Sequence, residues 1–203
     1  LLVDGGADIG LYARLLMVRT RSVQAVIAVE PNTDALALLR DNLSRPGVTA
    51  EVVAGALGER PGWGRLTRPH DGDSAHAAFV VPGTEDTGLA VTTVDSLVAT
   101  PHDRTLILKL DVEGSEAAVL RGAAATIAAA PHAILQVEAH PYVARRTGVD
   151  PATWIDFARS IRPFRWTACV ERSGTVFAAR PLDGGFFAVH DPRDIYDVVL
   201  VSD

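Results

Sequence analysis

The chain has 203 residues, a length that suits one hydrophobic core better than two separate ones. Its composition, 48% hydrophobic and 22% charged, is typical of a soluble globular protein, and no apolar run approaches the roughly 20 residues of a membrane span. The net charge of -6, with dispersed basic residues, argues against a nucleic-acid surface, and the single cysteine excludes an intrachain disulfide. We therefore expect one cytoplasmic domain that acts on a small molecule, without nucleic-acid or membrane partners.

Apolar runs typical of strands alternate with helix-like runs through the first half of the chain. Strands are predicted over residues 1–3, 25–29 and 49–53, with helices over 11–20 and 34–43 between them. Such β-α-β units connect parallel strands by right-handed crossovers, and their helices cover both faces of the sheet. The sequence therefore predicts an α/β, doubly wound, mostly parallel sheet of the Rossmann-like kind.

A glycine-rich turn follows the first predicted strand. Asp4, Gly6 and Gly10 form the pattern D-x-G-x-x-x-G, whereas the G-x-G-x-x-G fingerprint of dinucleotide-binding proteins is absent. Glu30 ends the second strand, where a carboxylate can accept hydrogen bonds from both hydroxyls of a ribose. These features favour S-adenosylmethionine, an adenosine cofactor without a pyrophosphate, with S-adenosylhomocysteine as its product. The predicted cofactor-binding residues are Asp4, Gly5, Gly6, Ala7, Asp8, Gly10, Glu30, Pro31, Asn32, Ala56, Leu57 and Asp111.

The middle of the chain, residues 58–92, is rich in glycine and proline. Only short strands are predicted in it, at 64–66 and 77–81, so we expect an inserted hairpin or loop.

The alternation of strands and helices resumes after this insertion, and the chain then ends in consecutive β-runs. Short connections between such runs predict antiparallel strands that close the sheet. The predicted elements are a buried strand over Leu106–Leu110, a helix over 115–129, a strand over 133–137, a helix over Pro151–Ile161, and strands over 164–170, Thr175–Ala179 and 196–201.

Charged residues gather where the fourth and fifth parallel strands end. Lys109, the only lysine, alternates with Asp111 and Glu113, so strand alternation would place all three on one face if the strand continued to Glu113. Glu138 and His140 end the next strand, at the same edge of the sheet, where open α/β sheets bind ligands. Carboxylates after a buried strand are costly unless they are used or paired, so this group indicates proton transfer or ligand binding.

Five segments match a known family in order and spacing. They are VDGGADIG, VIAVEPNTDALALLRDNL, VTTVDSL, LILKLDVEGSEAAVLRGA and ILQVEAH, and they span residues 3–140. The chain thereby resembles the FkbM-type methyltransferases, with the D-x-E-G-x-E segment from Asp111 to Glu116 as the most specific match. The resemblance implies a class I S-adenosylmethionine-dependent methyltransferase that acts mostly on oxygen, with acceptors among sugars and secondary metabolites such as polyketides. The chain departs from the family at Asp8, where Asn is usual, and in the missing elements that often precede the first motif.

Methyl transfer requires a base for the acceptor's proton, and His140 is the first choice because its ordinary pKa lies nearest neutrality. Glu113 or Glu138 would orient His140 or replace it, and Asp111 would contact the methionyl ammonium or the acceptor. Lys109 would neutralise the carboxylates beside it rather than act as a nucleophile. The spacing of the carboxylates is not a diagnostic metal motif, so no metal is predicted, although a bound Mg²⁺ stays open.

Three other functions stay open from the sequence. An adenine-dinucleotide oxidoreductase would share the fold and Glu30, although it would lack its glycine fingerprint. A non-catalytic module would bind the adenosyl ligand without transferring anything. An N-methyltransferase is the nearest alternative in chemistry, because the residues that contact an acceptor lie on loops without a readable code.

Overall fold

The computed structural model describes residues 1–67, 78–99, 103–172, 175–179 and 195–202. Strands and helices alternate up to residue 54 and again from residue 106. In chain order the elements are β1 (Leu2–Gly5), α1 (Leu11–Arg19), β2 (Ala25–Glu30), α2 (Leu36–Leu43), β3 (Thr49–Ala54), β4 (Ala56–Leu57), β5 (Gly62–Thr67), β6 (Phe79–Pro82), a short 3-10 helix (Glu85–Thr87), β7 (Leu89–Thr92), α3 (Val94–Leu97), β8 (Leu106–Leu110), α4 (Glu116–Arg121), α5 (Ala124–Ala129), β9 (Ala133–Ala139), α6 (Pro141–Thr147), α7 (Pro151–Ile161), β10 (Phe164–Arg172), β11 (Thr175–Ala179) and β12 (Ile195–Ser202).

Eight strands form the main sheet, in the order β11-β10-β12-β9-β8-β1-β2-β3. The five strands from β9 to β3 are parallel, whereas β12, β10 and β11 each pair antiparallel with their neighbours. The predicted α/β, doubly wound fold with antiparallel C-terminal strands is confirmed. Because β1 lies between β2 and β8, the segments that follow these three strands meet at one edge of the sheet.

The two faces of the sheet are packed differently. In β8 the side chains of Leu106, Leu108 and Leu110 are fully buried, in a core completed by α4, α5 and α7. The other face is covered over β1 and β2 by α1 and α2, through side chains such as Met17 and Leu39. Lys109 lies on this second face, so a charged residue can occupy a central strand without entering the large core.

The single helix predicted over residues 115–129 is wrong, because the structure has two helices, α4 and α5, in its place. The chain turns at Gly122, where an added Cβ would lie 2.1 Å from the carbonyl oxygen of Gly58. Only glycine therefore fits at this break, against the segment after β4, and alanine-rich helix propensity cannot reveal such a contact. None of the helices in the described ranges is long and apolar enough to cross a membrane.

Residues 56–92 contain a second, four-stranded sheet in the order β4-β7-β5-β6. Its strands β5 and β6 pair antiparallel, and β7 pairs with the other side of β5. The predicted strand at 64–66 lies inside β5, whereas the strand predicted from Ala77 begins outside the described residues. The stretch predicted as a hairpin or loop thus contains short strands that form a small sheet.

Candidate cofactor and catalytic site

The turn between β1 and α1 requires glycine at two positions. Gly6 and Gly10 have φ angles of 70° and 80°, in the left-handed region. A Cβ on Gly6 would lie 1.8 Å from the carbonyl oxygen of Asp111, and a Cβ on Gly10 would lie 2.7 Å from a methyl carbon of Leu39. At both positions the missing Cβ admits a neighbouring part of the chain. The predicted cofactor turn is therefore in direct contact with the backbone of Asp111.

Glu30 ends β2 beside this turn and is held by the backbone on both sides. Its Oε2 accepts a hydrogen bond from Asp8 N at 2.7 Å, and its Oε1 accepts one from Asn32 N at 2.7 Å. Burial raises the pKa of Glu30, although these two hydrogen bonds oppose the shift. Each carboxylate oxygen has two lone pairs and can accept a second hydrogen bond, so Glu30 fits a ribose that offers two hydroxyls.

The other predicted cofactor residues surround Glu30 and the turn. Gly55 N donates to the carbonyl oxygen of Glu30 at 3.2 Å, which places the start of β4 beside it. Ala7, Ala56 and Leu57 are buried, Pro31 and Asn32 are half-buried, and Asp8 is exposed with a φ of 47°.

Asp4 lies below the turn and is completely buried. Lys109 Nζ lies 3.4 Å from Asp4 Oδ1 and 3.4 Å from Asp111 Oδ2, and it donates a 2.9 Å hydrogen bond to the carbonyl oxygen of Gly6. Burial raises the pKa of Asp4 to about 6, against the opposing effect of Lys109. Burial alone would lower the pKa of Lys109, but Asp4 and Asp111 outweigh it and the pKa is raised. Lys109 therefore ties β1, the glycine turn and Asp111 together.

Asp111, Glu113 and Glu138 form an acid cluster at the carboxyl ends of β8 and β9. One carboxylate oxygen from each residue lies within 4.8 Å of the others. Glu113 does not reach the cluster by the predicted strand alternation, because β8 ends at Leu110. A turn with a φ of 54° at Glu113 brings that carboxylate to the cluster instead. These three oxygens could also hold a hard cation such as Mg²⁺, which prefers oxygen ligands.

Two carboxyl groups of the acid cluster, those of Glu113 and Glu138, have raised pKa values. Burial raises the pKa of Glu138 to about 9, and the charges of Asp111 and Glu113 add to the shift. Burial raises the pKa of Glu113 to about 7, with Asp111 as the next cause. Carboxylates this close cannot all ionise cheaply, so Glu138 holds a proton while Glu113 titrates near neutrality.

His140 follows β9 and lines a small pocket together with Glu138 and Glu116. Burial lowers its pKa from the ordinary value, and the cations of Arg146 and Arg145 lower it further. The imidazole is therefore neutral at pH values where an unperturbed histidine is partly charged, which is the form that a general base needs. The structure thus places His140 next to Glu138, as the sequence predicts.

Two further residues shape this site and were not among the predicted ones. Glu116 accepts hydrogen bonds from backbone N–H groups of the β8-α4 turn, and Arg146 donates one to the carbonyl oxygen of Glu113. The D-x-E-G-x-E segment contains Glu116, so its motif could have drawn attention to it. Arg146 lies on α6, a helix that the sequence analysis does not predict, and only its place in an arginine pair distinguishes it.

The parallel sheet, the glycine turn and the acidic end of β2 define an adenosyl-cofactor fold of the class I methyltransferase type. Residues 4–161 match the methyltransferase FkbM domain, and the chain belongs to this family. The predicted resemblance is confirmed, and the protein is an S-adenosylmethionine-dependent methyltransferase. Family membership sets aside the dinucleotide oxidoreductase and the non-catalytic module.

Three solved structures are similar to this chain, and the first of them supports the fold. A Listeria monocytogenes protein named for an inferred S-adenosylmethionine-dependent methyltransferase activity is 11% identical, with a TM-score of 0.52 over 100% of this chain and 90% of its own. A Mesorhizobium loti S-adenosylmethionine-dependent methyltransferase is 14% identical, with a TM-score of 0.44 over 100% of this chain and 90% of its own. Streptococcus pneumoniae Sp1610, named for an inferred tRNA (m1A22) methyltransferase activity, is 13% identical, with a TM-score of 0.46; this chain aligns over its full length and spans 63% of that protein. No curated protein sequence matches this chain significantly.

Proposed function

We propose that this enzyme methylates a hydroxyl oxygen of a small acceptor, a sugar or a secondary metabolite such as a polyketide, in the cytoplasm. The observation that carries the proposal is the meeting of three proton-handling groups beside the cofactor turn. The backbone of Asp111 touches Gly6, and Glu113, Glu138 and His140 extend from there along the same edge. Neither nucleic acid nor a membrane has a part in this proposal.

The cofactor would be held by residues on both sides of the glycine turn. Glu30 would accept hydrogen bonds from the ribose, and the backbone of Gly5, Gly6, Ala7 and Gly10 would border the methionine part. Asn32 and the start of β4 would surround the adenine, and Asp111 would contact the methionyl ammonium. S-adenosylmethionine, when bound, supplies an electrophilic methyl group on a sulfonium. The protein then has to position the acceptor and remove its proton.

His140 is the proposed base. Its imidazole would accept the proton of the acceptor's hydroxyl, and the lowered pKa keeps the imidazole in the accepting form at neutral pH. Glu113 is the second choice, because its pKa of about 7 also suits proton transfer near neutrality. Glu138, with a pKa of about 9, would keep its proton and act as a hydrogen-bond donor toward the acceptor or Asp111.

The test is a transfer assay with S-adenosylmethionine that carries a deuterated methyl group. The enzyme is given sugars and polyketides as acceptors, and matched compounds in which an amine replaces the hydroxyl. Mass and fragmentation of the product locate the label. Label on a hydroxyl oxygen supports the proposal, whereas label only on nitrogen would select N-methylation and overturn it. The assay is run with Mg²⁺ and with EDTA, so that a cation in the acid cluster would be seen as a dependence on metal.

A further inference from the structure

Glu113 has a backbone conformation that its own side chain disfavours. Its φ is 54°, in the left-handed region that residues with a Cβ seldom occupy. Such a conformation persists only where the surrounding structure holds it, and these positions concentrate at functional sites. The carboxylate of Glu113 reaches Asp111 and Glu138 from this conformation. The groups that hold the Glu113 peptide therefore decide whether the acid cluster forms.

Glu116 holds the backbone N–H groups of the two residues that flank Glu113. Its side chain is buried, and Oε1 accepts hydrogen bonds from Val112 N at 3.3 Å and from Gly114 N at 3.0 Å. Burial raises the pKa of Glu116, while these backbone donors oppose the shift. Hydrogen bonds to a carboxylate are stronger than neutral ones, so one side chain fixes the turn at two points.

Arg146 holds the same turn by its carbonyl side. Its Nη2 donates to the carbonyl oxygen of Glu113 at 2.5 Å, and the guanidinium lies 4.1 Å from the ring centre of Phe79 in β6. Its Nε and Nη1 are buried without a hydrogen-bond partner among the described residues. The bond to Glu113 is thus the one hydrogen bond that the Arg146 side chain makes within those residues, and the guanidinium also contacts the second sheet through Phe79.

Gly114 brings helix α6 close enough for this contact. A Cβ on Gly114 would lie 2.6 Å from Thr147 Cγ2 and 3.0 Å from Val143 Cγ1. The turn and the helix that carries Arg146 are therefore in direct contact, and a side chain at position 114 would separate them.

We propose that Glu116 and Arg146 are positioning residues, which hold the Glu113 peptide from its two sides and keep the Glu113 carboxylate beside Asp111 and Glu138. This inference rests on the proposed function, in which His140 takes the acceptor's proton beside the acid cluster. Neither residue touches the reacting atoms. Glu116 acts through the Glu113 turn, whereas Arg146 acts through this turn and also through its charge, which lowers the pKa of His140.

A double-mutant cycle tests this route. Arg146→Met keeps an unbranched apolar side chain but removes the guanidinium, and with it the hydrogen bond to Glu113 and the contact with Phe79. We expect it to lower kcat on the order of tenfold with an unchanged KM for S-adenosylmethionine. In a Glu113→Gln background the same substitution should change kcat by less than about twofold. Equal losses in both backgrounds would overturn the proposal. Arg145→Ala is the matched control, because it removes the same charge near His140 without touching the turn.

Conservative replacement of Glu116 gives a second test. Glu116→Gln keeps an oxygen that accepts both N–H groups and should retain most of the activity, whereas Glu116→Ala should lose about as much as Arg146→Met. Activity that is lost equally in both Glu116 variants would contradict the proposal.

A crystal structure of Arg146→Met decides the matter without an acceptor. We expect the Glu113 peptide to leave the left-handed region and its carboxylate to leave the cluster. An unchanged Glu113 would overturn the proposal, even if hydroxyl transfer were found. A displaced Glu113 in a protein that methylates no hydroxyl would instead overturn the proposed function alone.

Discussion

Asp4 and Glu138 are carboxylates near one edge of the same sheet, yet they exist in different electrostatic surroundings. Burial raises the pKa of both, to about 6 for Asp4 and to about 9 for Glu138. Asp4 has Lys109 Nζ at 3.4 Å, whereas Glu138 has the carboxylates of Asp111 and Glu113 beside it. Burial is common to the two groups, so the neighbouring charges account for the difference.

The comparison separates a structural half of the edge from a reactive half. The pair of Asp4 and Lys109 keeps its charges and fixes the glycine turn, where the cofactor is expected. The reactive half contains Glu113, whose pKa burial raises to about 7, and His140, whose lowered pKa keeps the imidazole ready to accept a proton, and the acceptor is expected beside them.

Removing the proposed base is expected to give the largest effect on the reactive half. His140→Ala should lower kcat by ~10²–10⁴-fold, because a general base contributes about that much to the rate. Binding of S-adenosylhomocysteine should stay unchanged, since His140 is not part of the cofactor turn. Steady-state kinetics and calorimetry on the folded variant check both statements. Rates within a few-fold of the wild type would remove His140 from the mechanism.

Removing Lys109 should destabilise the structural half of the edge. Lys109→Met leaves Asp4 buried without its cation, so the free energy of unfolding should fall by about 3 kcal/mol, as for other broken buried pairs. Urea denaturation measures the change, and Glu113→Gln, which removes a charge from the acid cluster, should show no comparable loss. Full loss of turnover with an unchanged melting temperature and cofactor affinity would show that Lys109 acts in the chemistry instead.

Truncating Glu30 should weaken cofactor binding and leave the acid cluster and the pair of Asp4 and Lys109 unchanged. Glu30→Ala should lower the affinity for S-adenosylhomocysteine by about 1.5–3 kcal/mol, the range for hydrogen bonds to a charged group. Titration calorimetry gives the value, with the exposed Glu51→Ala on β3 as the control. Unchanged affinity in a folded Glu30→Ala protein would place the ribose elsewhere.

The smallest expected effect is a change in how stability depends on pH. Glu138 has a raised pKa in the folded protein, so its favourable contribution is complete below its ordinary pKa and is lost as pH rises toward about 9. Glu138→Gln should remove this loss, on the order of 1 kcal/mol for a side chain that solvent partly reaches. Thermal unfolding between pH 5 and about 9 checks it. Parallel curves for the two proteins would mean that Glu138 is ionised in the fold.

Much of the fold could be predicted from local signals. The bounds of β8 and α7 agree with the prediction, because β8 is an unbroken apolar run and α7 begins after Asp150, whose side chain caps Ala152 N, with Pro151 in the first turn. The break at Gly122 and the extent of the second sheet could not be predicted. Both depend on contacts between distant segments, such as Gly122 against Gly58.

In the site, too, features with local signals could be predicted and long-range contacts could not. Residue types and strand order predict that Asp111, Glu113 and Glu138 share an edge, and the structure brings them together. The prediction relied on alternation along β8, whereas the observed turn depends on Glu116 and on Arg146 from a helix that starts at a proline. Hydrogen bonds between residues more than thirty positions apart leave no periodic pattern in a sequence.

The pH dependence of kcat in the wild type and in His140→Ala tests the central claim, that the reactive half of the edge removes the acceptor's proton through His140. With cofactor and acceptor saturating, wild-type kcat should fall as pH drops through a pKa below the ordinary histidine value of about 6.5. In His140→Ala this acidic limb should disappear, and in Glu113→Gln it should remain. A limb that persists in His140→Ala and disappears in Glu113→Gln would contradict the account and assign the proton to Glu113.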